Sequence, residues 1–153
     1  MKRIGVFTSG GDSPGMNAAV RAVVRTCIYR NIIPFGIYEG YKGLIEGNIK
    51  EFSSRDVSNI IQRGGTILRS ARSKAFFEKE GRQKAFDNIK KFNLDGIIAI
   101  GGDGTFTGAK IFNEEHHIPF VGIPGTIDND LYGTDYCIGY DTALNTVIDA
   151  VDK

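Results

Sequence analysis

Residues 95–108 read Asp95-Gly96-Ile97-Ile98-Ala99-Ile100-Gly101-Gly102-Asp103-Gly104-Thr105-Phe106-Thr107-Gly108, and this stretch decides the fold. Asp95 to Ile100 carries an apolar run of strand length, the pattern of a strand buried on both faces. Gly101 and Gly102 end it, and the residues from Asp103 to about Glu115 pass into a helix. The same order follows at once. Ile118 to Ile123 reads as a strand and Pro124-Gly125-Thr126-Ile127-Asp128-Asn129-Asp130 as its loop. Ligands of open α/β sheets bind at the carboxyl ends of strands, where both acidic loops lie.

Working outward, residues 3–8 form a short buried strand and residues 9–15 a turn. A helix over 16–29 places Ala19, Val20, Val23, Val24, Cys27 and Ile28 on one face. Ile33 to Tyr38 is a second strand. Gly40, Gly43 and Gly47 break up the loop after it. Ser53 or Ser54 is expected to cap a short helix holding Val57, Ile60 and Ile61, ended by Gly64-Gly65. Residues 69–76 are read as a basic loop, and a longer helix runs to about Phe92, with Ala85, Phe86, Ile89 and Phe92 inward. A last helix carries Ala143, Val147 and Val151. Strands alternating with helices imply a three-layer α/β fold, Rossmann-like: a mostly parallel sheet with helices on both faces.

A chain of 153 residues fits one domain. Its 20 glycines are nearly twice the usual share, and they cluster at the ends of apolar runs, where such folds place ligand-binding turns. A net charge of +1 gives no field to attract nucleic acid or a membrane surface. No stretch approaches the roughly 20 apolar residues of a membrane span. Cys27 and Cys137 fit no metal spacing, and a reducing cytoplasm is the expected compartment. The helical pattern continues to Lys153 without a stop signal, so a chain truncated at its C-terminal end is expected.

Three turns carry candidate chemistry. Ser9-Gly10-Gly11-Asp12-Ser13-Pro14-Gly15-Met16-Asn17 joins strand to helix and can bind an anion, though a ligand-free turn reads equally well. Asp103 either caps the helix that follows or holds a metal ion. Asp128 and Asp130 either close Asx turns or serve chemistry, Asp128 as a base and Asp130 as an orienting group. Arg72 is a surface cation or a fork bridging two phosphates. His116 and His117 are placed at a solvated helix end, and Phe76-Phe77 in packing. Phosphate cradle, metal carboxylate and base between Gly101 and Asp130 point to phosphoryl transfer.

Taken together, Thr8-Ser9-Gly10-Gly11-Asp12, Pro14-Gly15-Met16-Asn17-Ala18-Ala19, Arg63-Gly64-Gly65-Thr66, Ser70-Ala71-Arg72, Gly101-Gly102-Asp103-Gly104 and the loop from Pro124 to Asp130 resemble the ATP-dependent 6-phosphofructokinases of bacterial type. That family's enzymes are about twice as long. The resemblance therefore implies that residues 1–153 are the N-terminal, ATP- and Mg²⁺-binding domain of a two-domain enzyme phosphorylating fructose 6-phosphate in glycolysis, inactive as an isolated half. It implies ATP contacts at Gly11, Tyr41, Arg72, Ser73, Gly102, Gly104, Thr105 and Gly108, and Mg²⁺ on Asp103. Thr126, Ile127, Asp128 and Asp130 would meet fructose 6-phosphate. Asp128 would be the general base, with Gly11 and Arg72 assisting catalysis.

The resemblance further implies a homotetramer, with an ADP and phosphoenolpyruvate effector site between subunits formed by Arg21, Arg25, Ser54, Arg55, Ser58 and Asn59. Ser54, Arg55 and Asn59 depart from the arginine, tyrosine and aspartate of some relatives, while Ser58 is kept. Gly104 and Gly125 stand where pyrophosphate-dependent relatives usually carry aspartate and lysine, which favours ATP as donor. NAD and lipid kinases share Gly-Gly-Asp-Gly-Thr but lack the Pro-Gly-Thr-Ile-Asp-Asn-Asp loop. A nucleotide-binding module without turnover is the alternative from a different class.

Overall fold

The structure is a computed structural model and describes residues 2–153. Five strands form one sheet in the order β3-β2-β1-β4-β5: β1 (Arg3–Thr8), β2 (Ile33–Ile37), β3 (Ile49–Glu51), β4 (Gly96–Gly101) and β5 (Phe120–Pro124). β1 pairs in parallel with β2 and β4, β4 in parallel with β5, and only the edge strand β3 runs antiparallel. The helices are α1 (Met16–Tyr29), α2 (Gly40–Glu46), α3 (Lys79–Lys91), α4 (Asp103–His116) and α5 (Tyr140–Val151).

Strand alternation sorts the core into two layers. Ile4 and Val6 of β1, with Ile98 and Ile100 of β4, pack on Met16, Val20 and Val24 of α1. Phe7, Ile97 and Ala99 point the other way, onto Leu44 of α2, Ala85 and Ile89 of α3 and Phe112 of α4. Successive strand residues face opposite sides, so a sheet covered twice needs apolar residues at every position. The mostly parallel sheet covered on both faces therefore stands as read from sequence.

Several local expectations do not hold. The glycine-rich stretch read as loop is α2, closed by Gly47 at φ 75°, and it leads into β3. Gly47 ends the helix, but Gly43 lies within it, where a side chain would collide with the Tyr38 carbonyl. The short helix expected around Val57 is a series of turns. Ser53 donates from its amide and hydroxyl to the Asp56 carboxylate at 2.8 and 2.7 Å, and Asn59 sits at φ 54°, outside helical geometry. Val57 and Ile60 are buried, but Ile61 is exposed. The basic loop ends in a short 3-10 helix at Lys74–Phe77. β5 begins two residues later than expected, after Pro119. In α5 no residue is buried: Val147 and Val151 face solvent, as does Val121 of β5. His116 is not at a solvated end. Its ring stacks on Phe86 at 4.4 Å, and only His117, at φ 55°, caps the helix.

Candidate active site

The β1–α1, β4–α4 and β5 loops all leave the carboxyl ends of parallel strands, and residues of the segment 71–77 line the same cavity. Gly11, Tyr41, Arg72, Ser73, Gly102, Asp103, Gly104, Thr105 and Gly108 border one cavity of about 950 Å³, together with Thr126, Ile127, Asp128 and Asp130. Groups far apart in the chain meet here: Arg72 from a loop and Asp103 from a helix open onto the same void.

Gly11 and Gly104 are the informative glycines. Neither has a positive φ, and a Cβ built on either meets nothing within 4 Å. The protein itself does not require glycine there, so the missing side chain leaves room in the cavity for a ligand. Gly101 differs: its Cβ would lie 2.7 Å from the Ser9 carbonyl oxygen, a contact that packs β4 against the first loop. The amino end of α4 opens onto the cavity through Gly102 to Thr105, and helix amino ends favour anions.

Asp103 lies in the first turn of α4, but the N-cap is Gly102, and no side-chain hydrogen bond caps the helix. The capping role is not what occupies this carboxylate. Among the described residues no cluster of three or more His, Cys, Asp or Glu forms a metal cage. A single exposed carboxylate facing an anion site fits Mg²⁺, which takes one or two carboxylates plus phosphate oxygens and water. In the second loop the turn is held by Asn129, at φ 50°, which accepts from the Cys137 amide at 2.7 Å and donates to the Asp135 carbonyl at 3.1 Å. Asp128 and Asp130 are exposed on the cavity side. The Asp128 amide donates to Thr126 Oγ1 at 3.2 Å, leaving its carboxylate outward.

Tyr41 is buried between Phe76, stacked 3.9 Å away with its ring nearly parallel, and Phe7, edge-on at 4.8 Å. Burial pushes its phenol pKa upward, so it stays protonated and serves as a donor. Phe76 packs as expected, but Phe77 does not: it is 81% exposed at the cavity rim. Asp12, Lys74 and Phe77 also line the cavity, as do Arg82 and Ile111, which the sequence reading does not name. For Arg82 a signal existed. Gly81, early in α3, marks close approach of the Ala75 carbonyl, which any side chain there would strike.

The effector candidates lie elsewhere. Arg25 and Ser54 border a hollow of about 330 Å³ with Ile28 and Tyr29. Arg21 is half-buried and donates to the Val57 carbonyl at 2.5 Å. Arg55, Ser58 and Asn59 are exposed on the neighbouring turns and do not border the hollow.

A mostly parallel α/β sheet whose glycine-rich and acidic loops meet on one cavity at the carboxyl ends of its strands defines a class, the ligand-binding doubly covered α/β domains. Within it, residues 3–153 match the phosphofructokinase family, and the chain belongs to that family. It is 63% identical over its whole length to the ATP-dependent 6-phosphofructokinase 2 of Bacteroides thetaiotaomicron and 60% identical to the ATP-dependent 6-phosphofructokinase 1 of Thermus thermophilus. It spans about half of these curated relatives, 47% and 48% of their lengths. A solved phosphofructokinase from Saccharomyces cerevisiae superposes with a TM-score of 0.96 at 41% identity, over 99% of this chain and 24% of that one. The pyrophosphate-dependent phosphofructokinase of Marinobacter aquaeolei shares the fold, with a TM-score of 0.81 at 21% identity over 99% of this chain and 42% of that one.

Proposed function

We propose that residues 1–153 are the nucleotide-binding half of an ATP-dependent 6-phosphofructokinase that moves the γ-phosphoryl of ATP onto the 1-hydroxyl of fructose 6-phosphate. The observation that carries the reading is the pair of glycines, Gly11 and Gly104, whose side-chain space opens into a cavity shared with Asp103 and Asp128. The names of the relatives agree with it.

In this reading Gly11 and the first turn of α4 hold the polyphosphate through backbone amides. Asp103 would hold Mg²⁺, which when bound supplies positive charge against the phosphate oxygens. Arg72, on the same cavity, reaches both substrates. Thr126, Ile127 and Asp130 position the sugar phosphate. Asp128 takes the proton of the 1-hydroxyl. That oxygen then bonds to the γ-phosphorus, while the bond from phosphorus to the β–γ bridging oxygen breaks and ADP leaves with its electron pair.

The glycine at 104 supports ATP over pyrophosphate, since a carboxylate there would occupy the room beside the nucleotide phosphates and repel them. The exposed apolar residues of β5 and α5 are consistent with a second domain packing on them, in a homotetrameric, cytoplasmic enzyme. Arg21, Arg25, Ser54, Arg55, Ser58 and Asn59 are proposed to form its ADP and phosphoenolpyruvate site. Assaying the complete gene product with ATP and with pyrophosphate as donors tests the central reading. Faster turnover with pyrophosphate would sink it, and binding of ATP without any turnover would favour the nucleotide-binding module instead.

A further inference from the structure

Thr8 closes β1 and Asn17 is the second residue of α1, so the pair brackets the first glycine-rich turn. Both are buried, at 0% and 1% exposure, and neither borders the cavity. Each spends its side-chain hydrogen bonds on one other segment, residues 63–69. Asn17 Nδ2 donates to the Arg63 and Gly64 carbonyls at 3.0 and 3.4 Å, and its Oδ1 accepts from the Ile67 amide at 2.7 Å.

The Thr8 hydroxyl has a single hydrogen, which goes to the Arg69 carbonyl at 2.9 Å. The 2.8 Å bond between the Thr8 and Thr66 hydroxyls is therefore donated by Thr66, whose oxygen accepts in turn from the Leu68 amide at 3.2 Å. One directed chain results, from the Leu68 amide through Thr66 and Thr8 to the Arg69 carbonyl. Bonds in such a chain polarise one another where water is excluded. Arg69 needs this hold. It lies at φ 60°, a left-handed conformation that residues other than glycine seldom adopt, with its amide on the Thr66 carbonyl at 3.1 Å. Leu68 beside it is fully buried, and its carbonyl accepts from the Glu39 amide at 2.8 Å. Gly65, at φ 68°, brings the segment against the glycine-rich turn itself: a Cβ there would lie 3.0 Å from Asp12 Oδ2. Arg72 follows Arg69 by three residues, at most about 11 Å of chain, and opens onto the cavity that Gly11 also borders.

We propose that Thr8 is a positioning residue for phosphoryl transfer: through Thr66 and the Arg69 carbonyl it fixes where Arg72 stands relative to the Gly11 turn. Asn17 anchors the other end of the same segment. The inference rests on the reading of Arg72 as a substrate contact and deepens it, by naming what sets the distance between the phosphate cradle and the bridging cation.

The test is a double-mutant cycle of Thr8→Val with Arg72→Ala in the complete gene product, with turnover and melting temperature measured on the same preparations. Valine keeps the branched shape and removes the hydroxyl. In Thr8→Val, kcat/KM for both substrates should fall about tenfold or more, since a misplaced group costs up to about 10²-fold. In the Arg72→Ala background the same change should cost less than about twofold, because the group it places is gone. Thr8→Ser keeps the hydroxyl and loses a buried methyl; it should melt lower yet turn over within about twofold of the wild type. If Thr8→Val does not fold, Thr66→Ala breaks the same chain from its half-buried side and takes its place in the cycle. Equal losses in the two backgrounds would mean general support of the fold and overturn the proposal. So would wild-type turnover in Thr8→Val, or a loss in Thr8→Ser as large as in Thr8→Val. Wild-type turnover in Arg72→Ala would bring down the reading of Arg72 itself and the proposal with it, a result distinct from equal losses in a background where Arg72 matters.

Discussion

The Tyr41 hydroxyl donates to the Thr105 carbonyl oxygen at 2.5 Å, tying α2 to the first turn of α4. Both partners are buried, and 64 residues of sequence lie between them. This bond fixes the turn from which Asp103 and Gly104 face the cavity. Gly108 makes it possible, since a Cβ there would come within 3.2 Å of the Tyr41 ring.

Removing that hydroxyl with Tyr41→Phe leaves the Thr105 carbonyl without its partner in a dry site. The expected cost is about 1–3 kcal/mol of stability, read as a shift of the urea midpoint at unchanged slope. The aromatic stack on Phe76 survives in this variant. ATP affinity should therefore fall only through loosening of the first turn of α4, and less than stability does. A midpoint equal to the wild type's would show that the bond contributes nothing.

Two glycines one turn of chain apart should respond in opposite ways. Gly101→Ala puts a methyl group 2.7 Å from the Ser9 carbonyl oxygen, so backbone must move, and overpacking of this kind costs about 1–3 kcal/mol. Gly104→Asp meets nothing in the protein, and stability should stay within about 0.5 kcal/mol. The same substitution fills ligand space with negative charge, and ATP binding should be lost. Thermal melts and ATP titration of both variants check the contrast; a destabilised Gly104→Asp would refute the open-space argument.

The sheet was legible in the sequence because burial on both faces writes itself as continuous apolar runs, as in Ile97 to Ile100. The two acidic loops were legible because they follow those runs. What stayed hidden depends on contacts that local pattern does not encode. α2 carries Gly40, Gly43 and Gly47, which read as breakers, yet Gly43 is there for the Tyr38 backbone to approach. Val57, Ile60 and Ile61 have helical spacing, but Ser53, Asp56 and Asn59 impose turns. Arg82 and Glu115 lie 33 residues apart in sequence and pair only once α3 and α4 are packed side by side.

Asp56 gives the fold an acid-sensitive point. Its carboxyl is held well below the usual range, first by the Lys50 ammonium at 2.7 Å and then by the Ser53 amide and hydroxyl. A carboxylate with a lower pKa folded than unfolded stabilises the fold at every pH above its unfolded value, about 3.9, and loses that contribution as pH falls through the folded one. Asp56→Asn should thus lower stability by about 1 kcal/mol at pH 7, where hydrogen bonds to a charged but partly solvated group are lost. The gap between variant and wild type should narrow below pH 4. A gap constant from pH 7 to pH 2 would show that charge plays no part.

Asp128 separates chemistry from architecture most sharply. Its carboxylate is exposed to the cavity, and the loop it sits on is held by Asn129 and by the Thr126 hydroxyl, not by Asp128 itself. Asp128→Ser should therefore leave the melting temperature within the scatter of surface substitutions, about 0.5 kcal/mol in stability. General-base assistance is worth about 10²–10⁴ in rate, roughly 3–5 kcal/mol of barrier. Turnover by the complete gene product should fall by at least the lower figure. The affinities for ATP and fructose 6-phosphate should barely change, because the lost proton acceptor matters in the transition state rather than in binding. Measuring kcat, both affinities and melting temperature on one preparation distinguishes the alternatives. A variant that melts early but turns over normally per folded molecule would make Asp128 a loop residue. One that melts normally and turns over normally would remove it from the mechanism, and Asp130, on the same rim of the cavity, would be the next carboxylate to replace.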